Sequence, residues 1–153
     1  MQVKLTLICD VICHNGSMKI DIYDQHTHVY TGENLTQGPL QIDCMVDWPT
    51  TVNITLSNKG KNDTLMDTAG NITHNKAVEV TQVLINNFPI HQDLIDKLFI
   101  CRREGSDVDT NENWWSFNGT VKILFDQLNP MRYMLSLRNE FNINRNHWNN
   151  NDK

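Results

Sequence analysis

The chain of 153 residues is short of the residues that mark several protein classes. It has no run approaching the roughly 18 apolar residues that a bilayer-spanning helix needs, and no membrane is expected as a partner. Lys and Arg number 13 against 18 Asp and Glu, for a formal charge of -5, and the basic residues are scattered. Neutralisation of nucleic-acid phosphates is therefore not expected. Glycine and proline are few, 7 and 4. The four cysteines, Cys9, Cys13, Cys44 and Cys101, form no CxxC pair. The N-terminal apolar run is interrupted by Asp10 and followed by no small-residue cleavage site, so it reads as a first strand and not as a signal peptide. Free, buried thiols in a soluble protein made in a cytoplasm are the expectation. No G-x-S-x-G, P-loop, dinucleotide fingerprint or H-E-x-x-H is present, and no carboxylate sits in an apolar setting that marks a raised-pKa acid. The expected protein is not an enzyme.

What is abundant is asparagine, 20 residues, with 13 threonines. This reads partly as a coding bias and partly as a polar surface rich in neutral hydrogen-bonding groups. Val, Ile, Leu and aromatics recur throughout, so the composition is that of a folded chain.

Period-2 alternation dominates. Val3, Leu5, Leu7, Cys9, Val11 and Cys13 share one face of a first strand; Met18, Ile20 and Ile22 alternate in a second, which the Asn15-Gly16 turn joins to the first as a hairpin. A loop from Asp24 to Pro39 follows, with one short strand at Val29. Leu40, Ile42, Cys44 and Val46, then Val52, Ile54 and Leu56, alternate in turn. The densest β-branched stretch is Val78 to Ile85. Its parity slips, Val78 and Val80 facing one way and Val83 and Ile85 the other, which predicts a β-bulge near Thr81 and Gln82 or a strand end buried on both sides. Leu94, Ile95, Leu98 and Phe99 fit a helix of about three turns within residues 90–101. Strands at 119–126 and 132–138 complete the set. Seven or eight turn-linked strands with one short helix give an all-β, antiparallel sandwich of jelly-roll type, with a closed barrel as the alternative. One domain over residues 1–141 and a polar tail over 142–153 are expected, the tail serving as an arm that orders on a neighbouring subunit.

Candidate ligands are sparse. Asp107, Asp109 and Asn111 stand at i, i+2 and i+4, the spacing that opens an EF-hand loop, but Glu112 occupies the glycine position and Asn118 that of the bidentate Glu. Asp63 and Asp67, in a loop with Gly70, form a second oxygen-rich set. His26 with His28, and Cys9, Cys13 and His14, offer soft-metal donors but read as exposed loop and core residues. The segment from Trp114 to Gly119 is the densest aromatic cluster. Trp114 and Ser116 face one way on a strand and Trp115 and Phe117 the other, so one indole is core and the other is a contact residue. With Asn118, and with Trp148 in the tail, it makes the candidate carbohydrate or partner surface, since exposed rings stack on pyranose faces while neighbouring polar groups bond the hydroxyls.

The run from Asn75 to Ile85, entered from the loop between Asn62 and Asn71, resembles a late strand of calcium-dependent, xylan-type carbohydrate-binding modules. It is similar as well to β-sandwich modules of bacteriophage virion proteins. The first resemblance implies a Ca2+ held by Asp63 and Asp67 and completed by sugar hydroxyls. His74 at the strand entry, and the want of a Gly-rich, Asp-dense loop, depart from that pattern. The main expectation is a structural or adhesion module of a phage particle, a decoration, tail or fibre-associated protein assembled in the host cytoplasm, with other virion subunits as partners. The alternative is a calcium-dependent module that binds cell-surface polysaccharide.

Overall fold

The computed structural model describes residues 1–13, 16, 18–60, 65–126, 130 and 133. They form an antiparallel β-sandwich with one short helix, two sheets rather than a closed barrel. The first sheet runs β11 (Trp114–Trp115), β8 (Ala77–Ile85), β1 (Gln2–Ile12), β4 (Gly38–Asp47), with β9 (Phe88–Pro89) paired to β8. The second runs β10 (Ile100–Arg103), β12 (Gly119–Phe125), β5 (Thr50–Ser57), β2 (Lys19–Asp24), β3 (Thr27–Gly32). A two-stranded hairpin of β6 (Leu65–Met66) and β7 (Ile72–His74) leads into β8.

The core lies between the sheets and follows the alternation. Leu5, Leu7, Cys9 and Val11 of β1 and Ile42, Cys44 and Val46 of β4 meet Ile20 and Ile22 of β2, Val52, Ile54 and Leu56 of β5, and Val121, Ile123 and Phe125 of β12, all buried. Trp48 stacks on Phe125 with ring centroids 4.3 Å apart. Tyr133 is helical and packs edge-on against both rings, so the strand expected at 132–138 does not exist at that residue. The rest of that segment, and the tail, lie outside the described residues.

The parity slip in β8 is a bulge. Ile8 pairs with Gln82 and Cys9 with Val80, leaving Thr81 as the extra residue. Because one residue is inserted, Val78 and Val80 before it and Val83 and Ile85 after it all reach the same buried layer. The Thr81 hydroxyl donates to the Ile8 carbonyl at 3.1 Å, and Asn113 braces Val80 through its backbone carbonyl and its side-chain amide.

Three expectations are corrected. β2 pairs with β5 and β3, not with β1. Residue Gly16, at φ 64°, belongs to a connection that crosses from one sheet to the other. The helix is one turn, α1 (Ile95–Leu98), preceded by a 3-10 turn at Gln92–Leu94 and followed at once by β10. Leu94, Ile95, Leu98 and Phe99 are nevertheless all buried, because a tight turn running into a strand can present the same four side chains inward. Finally, asparagine does more than cover the surface. Asn34, Asn58, Asn86 and Asn87 have positive φ, and Asn86-Asn87 makes the two-residue connection from β8 to β9. Asn tolerates that region through local side-chain hydrogen bonds, which is how the chain turns with so few glycines.

Candidate functional site: an aromatic edge and a polar end

The aromatic segment is fixed from inside. Trp115 is 0 % exposed, donates its indole N–H to the Glu112 carbonyl at 2.9 Å, and meets Phe99 edge-on at 5.0 Å. Phe117 is buried two residues on, under the Arg103 guanidinium, which sits 4.7 Å from the ring centre and pairs with Glu112. Alternation then turns Trp114 outward, and it is 39 % exposed. One indole is core and the other is available for contact, as the spacing predicts.

What Trp114 faces follows from register. It pairs with Glu79 of β8, Glu79 pairs with Asp10 of β1, and Asp10 pairs with Pro39 of β4. Val78, Val80, Cys9 and Val11 point inward, so Trp114, Glu79 and Asp10 form one transverse row on the outer face of the first sheet. With strands 4.7–4.9 Å apart, the row from Trp114 to Asp10 spans roughly 10 Å. Neither carboxylate has a hydrogen bond or ion pair among the described residues. The next pairing along β1 and β8 joins Ile8 to Gln82, and Ile8 to Gln41 on β4, so neutral amides flank the row.

The polar end of the sandwich has a different construction. Asn118 accepts from the Lys59 backbone N–H at 2.9 Å and donates to the Lys59 carbonyl at 2.8 Å. The expected contact residue thus uses its amide to clasp the chain leaving β5. The Lys59 ammonium bonds Asn75 and the Ser116 carbonyl, tying the entry of β8 to the aromatic segment. Beside this clasp lies an open cleft of about 540 Å³, bounded by Ser57, Asn58, Arg102, Arg103 and Ser106. Its floor includes Gly119, where a Cβ would stand 2.2 Å from the Arg102 carbonyl, so the two strands approach more closely than any side chain permits.

Among the described residues the oxygen-rich loops do not gather into a cation site. Asp109 is bound to Arg102 at 2.8 Å, the Asn111 amide donates to the Phe99 carbonyl at 2.8 Å, and Asp107 is exposed. Asp67 caps its own turn: one carboxylate oxygen accepts from the backbone N–H groups of Ala69 and Asn71, both at 2.9 Å. Those donors, that of Asn71 foremost, hold the carboxyl below its usual range. Among the described residues no three His, Cys, Asp or Glu side chains come together to hold a metal. Asp63 and Trp148 lie outside the described residues, as does His14. His26 is exposed, while His28 bonds Asp21 at 3.1 Å. The four cysteines are free and buried. Burial is the leading cause that pushes Cys9 up to about 12 and Cys44 and Cys101 up to about 11.

Glu79 and Asp10 were not among the expected site residues. Their outward direction is implied by the alternation, but their juxtaposition with Trp114 depends on the strand order, which no local pattern encodes.

No family model and no curated protein matches the sequence. Solved structures do resemble the fold. The chain is similar to vCBM60 in complex with galactobiose, at 15 % identity and a TM-score of 0.52, over 79 % of this chain and 97 % of that one. It is also similar to a selenomethionine form of vCBM60, described in the context of a circular permutation linking two families of calcium-dependent carbohydrate-binding modules. The identity there is 13 % and the TM-score 0.54, over 80 % of this chain and 90 % of the other. What the chain shares with these structures is the fold, an antiparallel β-sandwich.

Proposed function

We propose that the protein is a carbohydrate-binding module, acting by binding and not by catalysis, which holds a glycan on the outer face of its first sheet with Trp114 as the stacking platform. The observation that carries the reading is the row of Trp114, Glu79 and Asp10: an exposed indole beside two carboxylates, unengaged among the described residues, that can accept from sugar hydroxyls. The fold of a module seen in complex with galactobiose supports it and favours polysaccharide over virion subunits as the partner. A buried Trp115, a braced Val80 and a closed core hold the platform rigid, so little ordering accompanies binding. The proposed contact works through the indole and the carboxylates directly.

The test is retention on a glycan array that includes neutral, amino and acidic polysaccharides, run with wild type and Trp114→Ala. Wild type should be retained and the variant should lose retention while keeping its melting temperature within a few degrees. An unretained wild type, or a variant retained as well as wild type, refutes the proposal.

A further inference from the structure

The carboxylates beside Trp114 are arranged in a way that a neutral ligand does not require. Glu79 and Asp10 stand directly opposite each other on neighbouring antiparallel strands, the arrangement in which like charges destabilise a sheet. No cation pairs with either among the described residues. On β1 itself, Lys4 lies on the same outer face but six residues from Asp10, roughly 20 Å along the strand. Arg102 and Arg103 are held on the other sheet by Asp109 and Glu112. The third member of the row is an exposed indole, whose face attracts cations. A ring with an electron-rich face and two adjacent unpaired carboxylates is complementary to a positively charged group attached to a flat apolar one. The whole chain, at -5, adds to the attraction of a cationic polymer and opposes that of an anionic one.

We infer that the ligand of this face is an amine-bearing glycan, a polymer of hexosamine units with free ammonium groups. One sugar stacks its apolar C–H face on Trp114, and its ammonium group, or that of the next unit, lies between Glu79 and Asp10. The inference rests on the carbohydrate-binding reading and narrows it to one charge class. Gln82 and Gln41, exposed on the neighbouring pairing, supply amides for the remaining hydroxyls.

The experiment is isothermal titration of the full chain with a β-linked glucosamine hexamer, its fully N-acetylated counterpart and a glucose hexamer, at roughly pH 6. Wild type should bind the amine form several-fold more tightly than the other two. Asp10→Asn and Glu79→Gln should each weaken the amine form by about two- to five-fold, and the pair together by about ten-fold, as expected for partly exposed ion pairs. The same changes relieve like-charge repulsion, so they should not lower the melting temperature. A control that removes two exposed carboxylates elsewhere, Asp96→Asn with Asp126→Asn, should leave the affinity unchanged; an equal loss there would reduce the effect to bulk charge and overturn the inference. Equal binding of all three hexamers, abolished by Trp114→Ala but unmoved by Asp10→Asn and Glu79→Gln, overturns the amine specificity and leaves the module reading standing. Binding of no hexamer, or binding indifferent to Trp114→Ala, overturns both.

Discussion

The two adjacent tryptophans differ in what their removal should cost, and the difference can be worked from their surroundings. Trp115 is completely buried, so Trp115→Ala removes an indole from the core, with its hydrogen bond to the Glu112 carbonyl and its edge contact with Phe99. Core Trp→Ala changes cost about 3–5 kcal/mol, and the orphaned carbonyl places this one at the upper end, near 5 kcal/mol. Trp114 is 39 % exposed and therefore still covers part of the sheet edge. Taking roughly 100 Å² of apolar surface lost relative to alanine, at about 25 cal/mol per Å² and discounted for burial in the unfolded chain, gives about 1–2 kcal/mol. The expected gap is about 3 kcal/mol. Urea unfolding followed by far-ultraviolet circular dichroism, which does not depend on the deleted fluorophore, should show two midpoints below wild type with similar slopes. A domain of this size has about 5–15 kcal/mol to lose, so Trp115→Ala is expected to be only marginally folded at 37 °C. Equal costs for the two variants would mean that the indole assigned to solvent is part of the core, and the contact surface proposed for the first sheet would be lost.

Asn118→Ala should lose the two backbone hydrogen bonds to Lys59, costing about 2 kcal/mol in urea unfolding. A thiol reagent near pH 8 should leave the four cysteines unlabelled in the native protein and label all four in denaturant. Because burial raises the folded-state thiol pKa values above those of the unfolded chain, their stabilisation is complete below about pH 8.5 and is lost as pH rises toward about 11. Stability that increases across that alkaline window would contradict the burial. EDTA should leave glycan retention unchanged, since among the described residues neither Glu79 nor Asp10 is joined by a third metal ligand. Loss of retention in EDTA with recovery in millimolar calcium would move the binding site to the loop that holds Asp67.

Much of the fold was written in local alternation, since inward and outward parity is a property of neighbouring residues. The buried faces of β1, β4, β5 and β12 were readable for that reason, and so was the bulge at Thr81, because a parity slip between valines has few other resolutions. Pairing was less legible. Asn15-Gly16 carries a hairpin signal, yet the strands on either side enter different sheets; nothing in Met18, Ile20 or Ile22 says which sheet their apolar face will close from. The over-long helix arose because i, i+1, i+4, i+5 spacing fits both a helix and a turn followed by a strand. The candidate site divided along the same line. Trp114 against Trp115 followed from alternation, whereas the Asn118 clasp and the Asp109–Arg102 pair join residues whose proximity exists only in three dimensions.

The bulge at Thr81 sets the chemistry of the sheet's outer surface as well as the packing beneath it. Residues on its N-terminal side keep Glu79 outward and Val80 inward only because one residue is set aside from the ladder. Drawing Thr81 into the ladder while holding the C-terminal half of β8 in register would pair it with Cys9, turn Val80 toward solvent and Glu79 toward the core, and break the alignment that places Trp114 across from a carboxylate. The two faces of the strand thus depend on Thr81 staying out of the ladder, at a position that belongs to neither the core nor the row. Deletion of Thr81 itself would let Val80 follow Gln82 in a regular ladder with Glu79 still outward, so the face would keep its row and lose only the local twist that the bulge imposes.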